Sequence, residues 1–425
     1  MPPGHITKQK ELRHLQLQPT LTTSPVNKMS SSSSTSRFDS GDKACSPCAA
    51  TMDTRTTGRV NTTPAKQTRS TTPRKIRKAP SAGAATSSPT STRKKLLTTA
   101  AGLFFSTTAG TTAAPAKAPG AGPTEGINSR ILMIPDIHGD YELMQQALSF
   151  VYPIDKDHDQ LIFTGDFVDR GPQPRECYEL SQVLADNYNV TRLTGNHEWV
   201  TIQGVGQHDP FAMYVPEEDL KSFGTWPERQ HAFSKDGHFG KMIRRKFDVI
   251  ALLGIDSDPM SKTLFVHAGI SIRTMQQWGT VEAIKKAGRE MLQSDYLDTV
   301  LLNEILQTRH LAQGPDSRVC MEVRQILKVA KAERLVVGHT PTPLIGGQPG
   351  EPIVKCKGRF ILMDVAMSRW MGGGMPAALI IETDANTGKL SRVFYKIKAG
   401  EEHDVPLPET SLQDTKDGDD LRQEL

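Results

Sequence analysis

Pro135-Asp136-Ile137-His138-Gly139-Asp140 is followed about 30 residues later by Gly165-Asp166-Phe167-Val168-Asp169-Arg170-Gly171, and after a similar interval by Gly195-Asn196-His197-Glu198. That interval is the length of a βαβ repeat. Each segment comes directly after an apolar run that reads as a buried strand: Ile131 to Ile134, Leu161 to Thr164, and Val190 to Thr194. Loops that follow strands in an open α/β sheet gather at its carboxyl edge, where ligands bind. Asp, His, Asp, Asn and His are therefore expected to converge on one edge. Carboxylate, imidazole and amide oxygen together make a metal site, and a central Asp with ligands on both sides suggests two ions.

Working outward, Asp136 and His138 sit two apart at a strand end, so their side chains leave on the same face and can serve one ion. Pro135 lacks an N–H and fixes φ, so strand pairing should end there. Helices are expected over Tyr141 to Val151, from Pro174 through Leu184, and around Lys241 to Phe247, the last inside an insertion from His208 to Asp258 rich in aromatics and charge. Thr263 to Val266 reads as a strand ending at His267, and Leu335 to Val337 as a strand ending near His339. Segments around Ile353, Phe360 to Met363, Ala377 to Ile381 and Val393 to Ile397 read as further strands of a second sheet. Strand–helix alternation early and strand-rich sequence late predict an α/β fold with two sheets in a sandwich.

The order of these motifs resembles the phosphoprotein phosphatase family of metallophosphoesterases, over roughly Arg130 to Lys398. Val337-Gly338-His339-Thr340-Pro341 and Met363-Asp364-Val365-Ala366-Met367-Ser368 are similar to the Shewanella-like protein phosphatase branch, where eukaryotic serine/threonine phosphatases usually carry Arg-Ala-His. The chain departs from the family at Pro135, where Gly normally opens the first motif. The resemblance implies a metallophosphoesterase-type two-sheet β sandwich flanked by helices. It implies metal ligation by Asp136, His138, Asn196, His267 and His339, with Asp166 bridging two divalent ions. Mn²⁺ is expected there, and the mixed oxygen and nitrogen set leaves Fe or Zn²⁺ open. The reaction implied is hydrolysis of phosphomonoesters on a phosphoprotein or phosphopeptide, by a hydroxide bridging the two ions. His197 takes the place of the general acid, Asp169 of its carboxylate partner, and Arg170 and Arg309 of the phosphate-binding arginines. Glu198 is expected to support the ligands without taking part in catalysis. A dinucleoside polyphosphate hydrolase with the same dimetal chemistry is the competing reading. A catalytically inactive scaffold is another, against which the intact ligand set argues.

Composition divides the chain. Residues 1–128 hold 18 Lys and Arg against 5 Asp and Glu, a net +13, and the remainder holds 33 against 42, a net −9, which together give the chain's +4. The first stretch is Ser-, Thr-, Ala-, Pro- and Gly-rich without apolar periodicity, so it is expected to be a disordered basic extension. Residues 129–400 are the expected catalytic domain and 401–425 an acidic, solvated tail. Few aromatics and no RNA or DNA motif argue against nucleic acid as the reading of the basic charge, so no nucleic-acid partner is expected. Arg-, Ser- and Thr-rich, acid-poor sequence suits an organelle transit peptide, for a plastid or mitochondrion. Arg93-Lys94-Lys95, the apolar run Leu96 to Phe105 and the small residues to Ala116 also mimic a secretory signal. Residues 1–118 thus point to targeting, with a cytoplasmic protein as the alternative. The apolar run is too short to span a bilayer, so no transmembrane span is expected. The five cysteines, Cys45, Cys48, Cys177, Cys320 and Cys356, are odd in number and scattered, which is no disulfide framework.

Overall fold

The computed structural model describes residues 129–297 and 299–413. The basic extension, its Cys45–Cys48 pair and its targeting signals lie outside the described residues, as does the chain after 413. Apolar runs flanked by turn residues form two sheets. One holds β1 (Arg130–Ile134), β2 (Gln160–Phe163), β3 (Val190–Arg192), β9 (Ala377–Thr383), β10 (Leu390–Ile397) and β11 (Glu401–Asp404), in the order β11-β10-β9-β1-β2-β3. The other holds β4 (Ile250–Leu253), β5 (Thr263–Val266), β6 (Arg334–Val337), β7 (Ile353–Lys355) and β8 (Phe360–Leu362), in the order β4-β5-β6-β8-β7. β1, β2 and β3 run parallel, as do β5, β6 and β8. Ile131 to Ile134, Leu161 to Phe163 and Leu335 to Val337 are buried, as strands covered on both faces must be.

Helices connect and cover the strands. α1 (Tyr141–Ser149) starts under Asp140, whose Oδ1 accepts the Leu143 N–H at 3.3 Å. α2 (Pro174–Asn187) opens with the proline expected in a first turn, and α3 (Asn196–Ile202) follows β3. The insertion folds as a 3₁₀ turn at Pro210–Tyr214 followed by α4 (Glu217–Phe223), α5 (Trp226–Phe233) and α6 (His238–Lys246). Tyr178 of α2 joins Phe223, Phe233, Phe239 and Phe247 in an aromatic cluster that fastens the insertion to the core. The second half adds α7 (Ile272–Trp278), α8 (Val281–Gln293), α9 (Val300–Gln307), α10 (His310–Gln313) and α11 (Asp316–Ala330). Among the described residues no helix is long and apolar enough to cross a membrane.

The two-sheet α/β architecture is as expected, with differences in detail. Strand pairing does end at Pro135, since β1 stops at Ile134. The segments at Ala377 and Val393 do not join the second sheet. β9 pairs antiparallel with β1, Ile131 opposite Ile381, and β10 pairs with β9. Apolar alternation marks a strand, but its partner is a long-range choice that periodicity does not encode. The tail expected from residue 401 is folded as far as 413: β11 pairs with β10, and Val405 and Leu412 are buried. Glu333 anchors it by accepting the Ser411 hydroxyl at 2.5 Å and the Leu412 N–H at 2.9 Å. Among the scattered cysteines, Cys320 of α11 and Cys356, just after β7, form a disulfide, while Cys177 is free and buried.

Candidate metal centre

The carboxyl ends of both parallel strand sets face one another. Asp136, Asp166 and Asn196 follow β1, β2 and β3; His267, His339 and Asp364 follow β5, β6 and β8. All six are buried. Asp136 ties the two groups together, with Oδ2 accepting the His339 N–H at 2.8 Å and Oδ1 accepting the Thr164 hydroxyl at 3.0 Å. Asp166 stands between two imidazoles: its Oδ2 is 3.6 Å from His138 Nε2 and 3.5 Å from His267 Nε2. Asn196 Oδ1 lies 3.1 Å from His267 Nε2 and 2.8 Å from His339 Nδ1. The six expected ligands therefore meet: Asp136, Asp166 and Asn196 from the first sheet's edge, His267 and His339 from the second's, and His138 from the first loop.

The loops that achieve this are strained. His138, Asp166, Asp169, Arg170 and His339 all have φ between 47° and 69°, a region that costs non-glycine residues on the order of 1–3 kcal/mol each. Neighbouring backbone holds them there, since the N–H groups of Ile137 and His138 both donate to the Asp166 carbonyl. Glu198, wholly buried, accepts the N–H groups of Asp166, Phe167 and Gly195 at 2.7–2.8 Å and the Tyr178 hydroxyl at 2.8 Å. This is the supporting role expected of it. Gly195 is required by close approach, because a Cβ there would lie 2.0 Å from Asp166 Oδ1.

Electrostatics fit a pair of cations. Burial first, then repulsion from nearby carboxylates (Asp364 beside Asp136, Asp136 beside Asp166), pushes both Asp136 and Asp166 well above the ordinary carboxylate range. Burial likewise lowers His138 strongly, His267 to about 3 and His339 to about 2, leaving neutral imidazoles with lone pairs to give. Asp364, raised to about 6 mainly by burial, has a buried Oδ2 without a hydrogen-bond partner. Crowded buried carboxylates and neutral histidines are the donor set that divalent ions neutralise. Atoms of His138, Asp166 and His197, and of Asp166, His267 and His339, lie within 4.8 Å of one another, so Asp166 belongs to both candidate clusters.

Around this centre sit the other expected residues. His197 Nδ1 is 2.8 Å from Asp169 Oδ2, both buried. Arg170 stacks its guanidinium 4.5 Å over the Tyr214 ring, its backbone N–H donates to the Tyr214 carbonyl, and its buried Nε has no protein partner. Arg309 Nη1 donates to the His339 carbonyl at 2.9 Å, which places it at the rim. His310 Nε2 is 3.3 Å from the Glu322 carboxylate. Sequence reasoning missed Tyr214, Arg229 and Asp219, which lie in the insertion and carry no motif. Asp364 was within reach, since it follows a strand just as the expected ligands do.

Residues 129–343 match the calcineurin-like phosphoesterase family. An uncharacterized protein of Schizosaccharomyces pombe is 25% identical over 60% of this chain and 79% of its own length. Shewanella-like protein phosphatase 1 of Plasmodium berghei is 24% identical over 64% of this chain and 76% of its own length, in line with the resemblance read from Val337 to Pro341. Among solved structures, a cold-active protein-tyrosine phosphatase from a psychrophilic Shewanella aligns with a TM-score of 0.49 and 20% identity, over 65% of this chain and 80% of that one. With paired sheets presenting two buried carboxylates, an asparagine and three neutral histidines at one edge, and a family match over half its length, the chain belongs to the calcineurin-like phosphoesterases, metal-dependent hydrolases of phosphate esters.

Proposed function

We propose that this hydrolase removes phosphate from phosphoproteins, with His197 as the proton donor to the departing hydroxyl oxygen. The observation that carries the reading is the buried His197–Asp169 pair, 2.8 Å apart, placed against a centre able to hold two ions. Asp136, His138, Asp166, Asn196, His267 and His339 would hold the ions, Mn²⁺ first among the candidates. Two divalent ions there would polarise the phosphoryl oxygens and provide the attacking hydroxide near neutral pH.

The side chains divide the remaining tasks. Arg170 and Arg309 offer planar guanidinium groups to the phosphate oxygens, and the unpartnered Nε of Arg170 supports that role. Asp169 accepts from His197 Nδ1, which leaves Nε2 to carry a proton outward. An alkoxide leaving from serine needs that proton, whereas p-nitrophenolate leaves readily without it. The Plasmodium relative's name, a protein phosphatase, supports the substrate class.

The decisive experiment is His197→Ala. Metal content should stay near that of the wild type, since this imidazole donates a proton and does not coordinate. Hydrolysis of a phosphoserine peptide should slow by about 10²–10⁴-fold, and p-nitrophenyl phosphate should suffer markedly less. Equal losses on both substrates, or loss of metal, would give His197 a different role. Assay beside diadenosine tetraphosphate tests the substrate class, because turnover of the dinucleotide without peptide activity would replace the protein-phosphatase reading.

A further inference from the structure

The carboxylate behind His197 is itself held from behind. Arg229, from α5 of the insertion, is 1% exposed, and its Nη2 donates to Asp169 Oδ1 at 2.8 Å. The two oxygens of Asp169 are thus divided, Oδ1 to Arg229 and Oδ2 to His197. A second carboxylate shares this Nη2: Arg229 Nε donates to Asp219 Oδ2 of α4 at 3.0 Å, and Nη2 lies 3.0 Å from the same oxygen. The rings of Phe233 and Phe223 face the guanidinium at 5.2 and 6.0 Å. Four buried groups therefore form one line, Asp219, Arg229, Asp169 and His197, running from the insertion into the catalytic centre.

We propose that Arg229 is a positioning residue for the proton donor, and that the insertion exists partly to bring it there. Asp169 sits on a strained loop at φ 68°. A carboxylate bonded through one oxygen alone can rotate about its side-chain torsions. Fixing the second oxygen sets the carboxylate plane, and with it the direction of the His197 ring. A guanidinium suits this task while bonding a second carboxylate, because its rigid planar fork holds its N–H donors in fixed directions. Stability gives little reason to keep such a group, since apolar replacements of buried ion pairs are often neutral or stabilising.

The inference rests on His197 being the proton donor, and the test keeps the two claims apart. Arg229→Met and Arg229→Lys are prepared in the full chain with metal and compared with His197→Ala. Each is assayed on a phosphoserine peptide and on aryl phosphates of graded leaving-group acidity. Arg229→Met is expected to lower kcat on the peptide by about 10–100-fold, with KM and metal content little changed. p-Nitrophenyl phosphate should lose less than about threefold, by the same dependence on leaving group. Arg229→Lys should recover part of the loss, since an ammonium keeps the charge and its donors but lacks the rigid planar fork. In an Asp169→Asn background Arg229→Met should add no further leaving-group dependence.

Uniform losses across all leaving groups, or no loss, would overturn the proposal and leave Arg229 a structural residue. If Arg229→Met does not accumulate as folded protein, the same ratio measured on Arg229→Lys decides. Should His197→Ala lack leaving-group dependence, the parent reading fails. Should His197→Ala show it and the Arg229 variants not, only this inference fails.

Discussion

Asp166 Oδ2 is approached by His138 and His267 from opposite sides, at 3.6 and 3.5 Å, while its Oδ1 accepts the His197 N–H at 3.0 Å. One carboxylate thus touches the histidines of both sheet edges and fixes the start of the helix that carries the proposed proton donor. Asp166→Asn keeps the shape and removes the charge. Turnover should fall by about 10²–10³-fold or more on every substrate, and bound metal measured by atomic emission should fall with it. Unchanged metal content would mean that Asp166 does not bridge. At this scale the sequence was informative because each proposed ligand is adjacent in the chain to the strand end that places it. Asp136 with His138, and Asn196 with His197, could be read from a few contiguous residues. Arg229 could not, because it lies 60 residues from Asp169 and only the packing of α5 brings it near.

Elements added late in the chain show the same limit. Cys320 and Cys356 close a loop with a sequence separation of 36, clipping α11 to the turn after β7. By chain entropy such a link is worth about 3–4 kcal/mol. Cys320→Ser should lower the urea midpoint accordingly, yet leave turnover at room temperature intact, since neither residue belongs to the centre. Equal stability of wild type and variant in the absence of reductant would show that the bridge is not formed in solution. In the insertion, burial raises Asp219 from the ordinary 3.8 to about 7, against the lowering effect of Arg229, with Asp169 and Glu176 also facing it. The folded state then holds this proton more tightly than the unfolded chain. The contribution to stability is fully present below about pH 4 and is lost as pH rises through about 7. Asp219→Asn cannot ionise, so its stability relative to wild type should improve with pH, by on the order of 2 kcal/mol between about pH 5 and pH 8. Parallel pH curves for the two proteins would contradict this.

For the whole molecule, the first sheet begins at Arg130 and every proposed site residue lies at or beyond Asp136. A chain beginning at Gly126 should therefore keep kcat and KM within about a factor of two, and truncation there should not aggregate. Loss of activity would mean that the boundary lies earlier. The basic extension is proposed as a targeting segment. Residues 1–125 fused to a fluorescent protein should direct it to an organelle, and a diffuse cytosolic signal would end that proposal.

What the sequence alone determined is what short-range order encodes. Ile131 to Ile134 and Leu161 to Phe163 form strands because their apolar side chains must be buried. The turn after each strand is fixed by its own residues, down to Pro135 ending β1. Everything that depended on which distant surfaces meet was left to the tertiary structure. β9 chose β1 as its partner, Cys320 met Cys356, Val405 and Leu412 were buried, and α5 carried Arg229 to Asp169. Those choices follow from how two sheets and an insertion pack to bury apolar surface and pair buried charges, a collective outcome that no single stretch of chain contains.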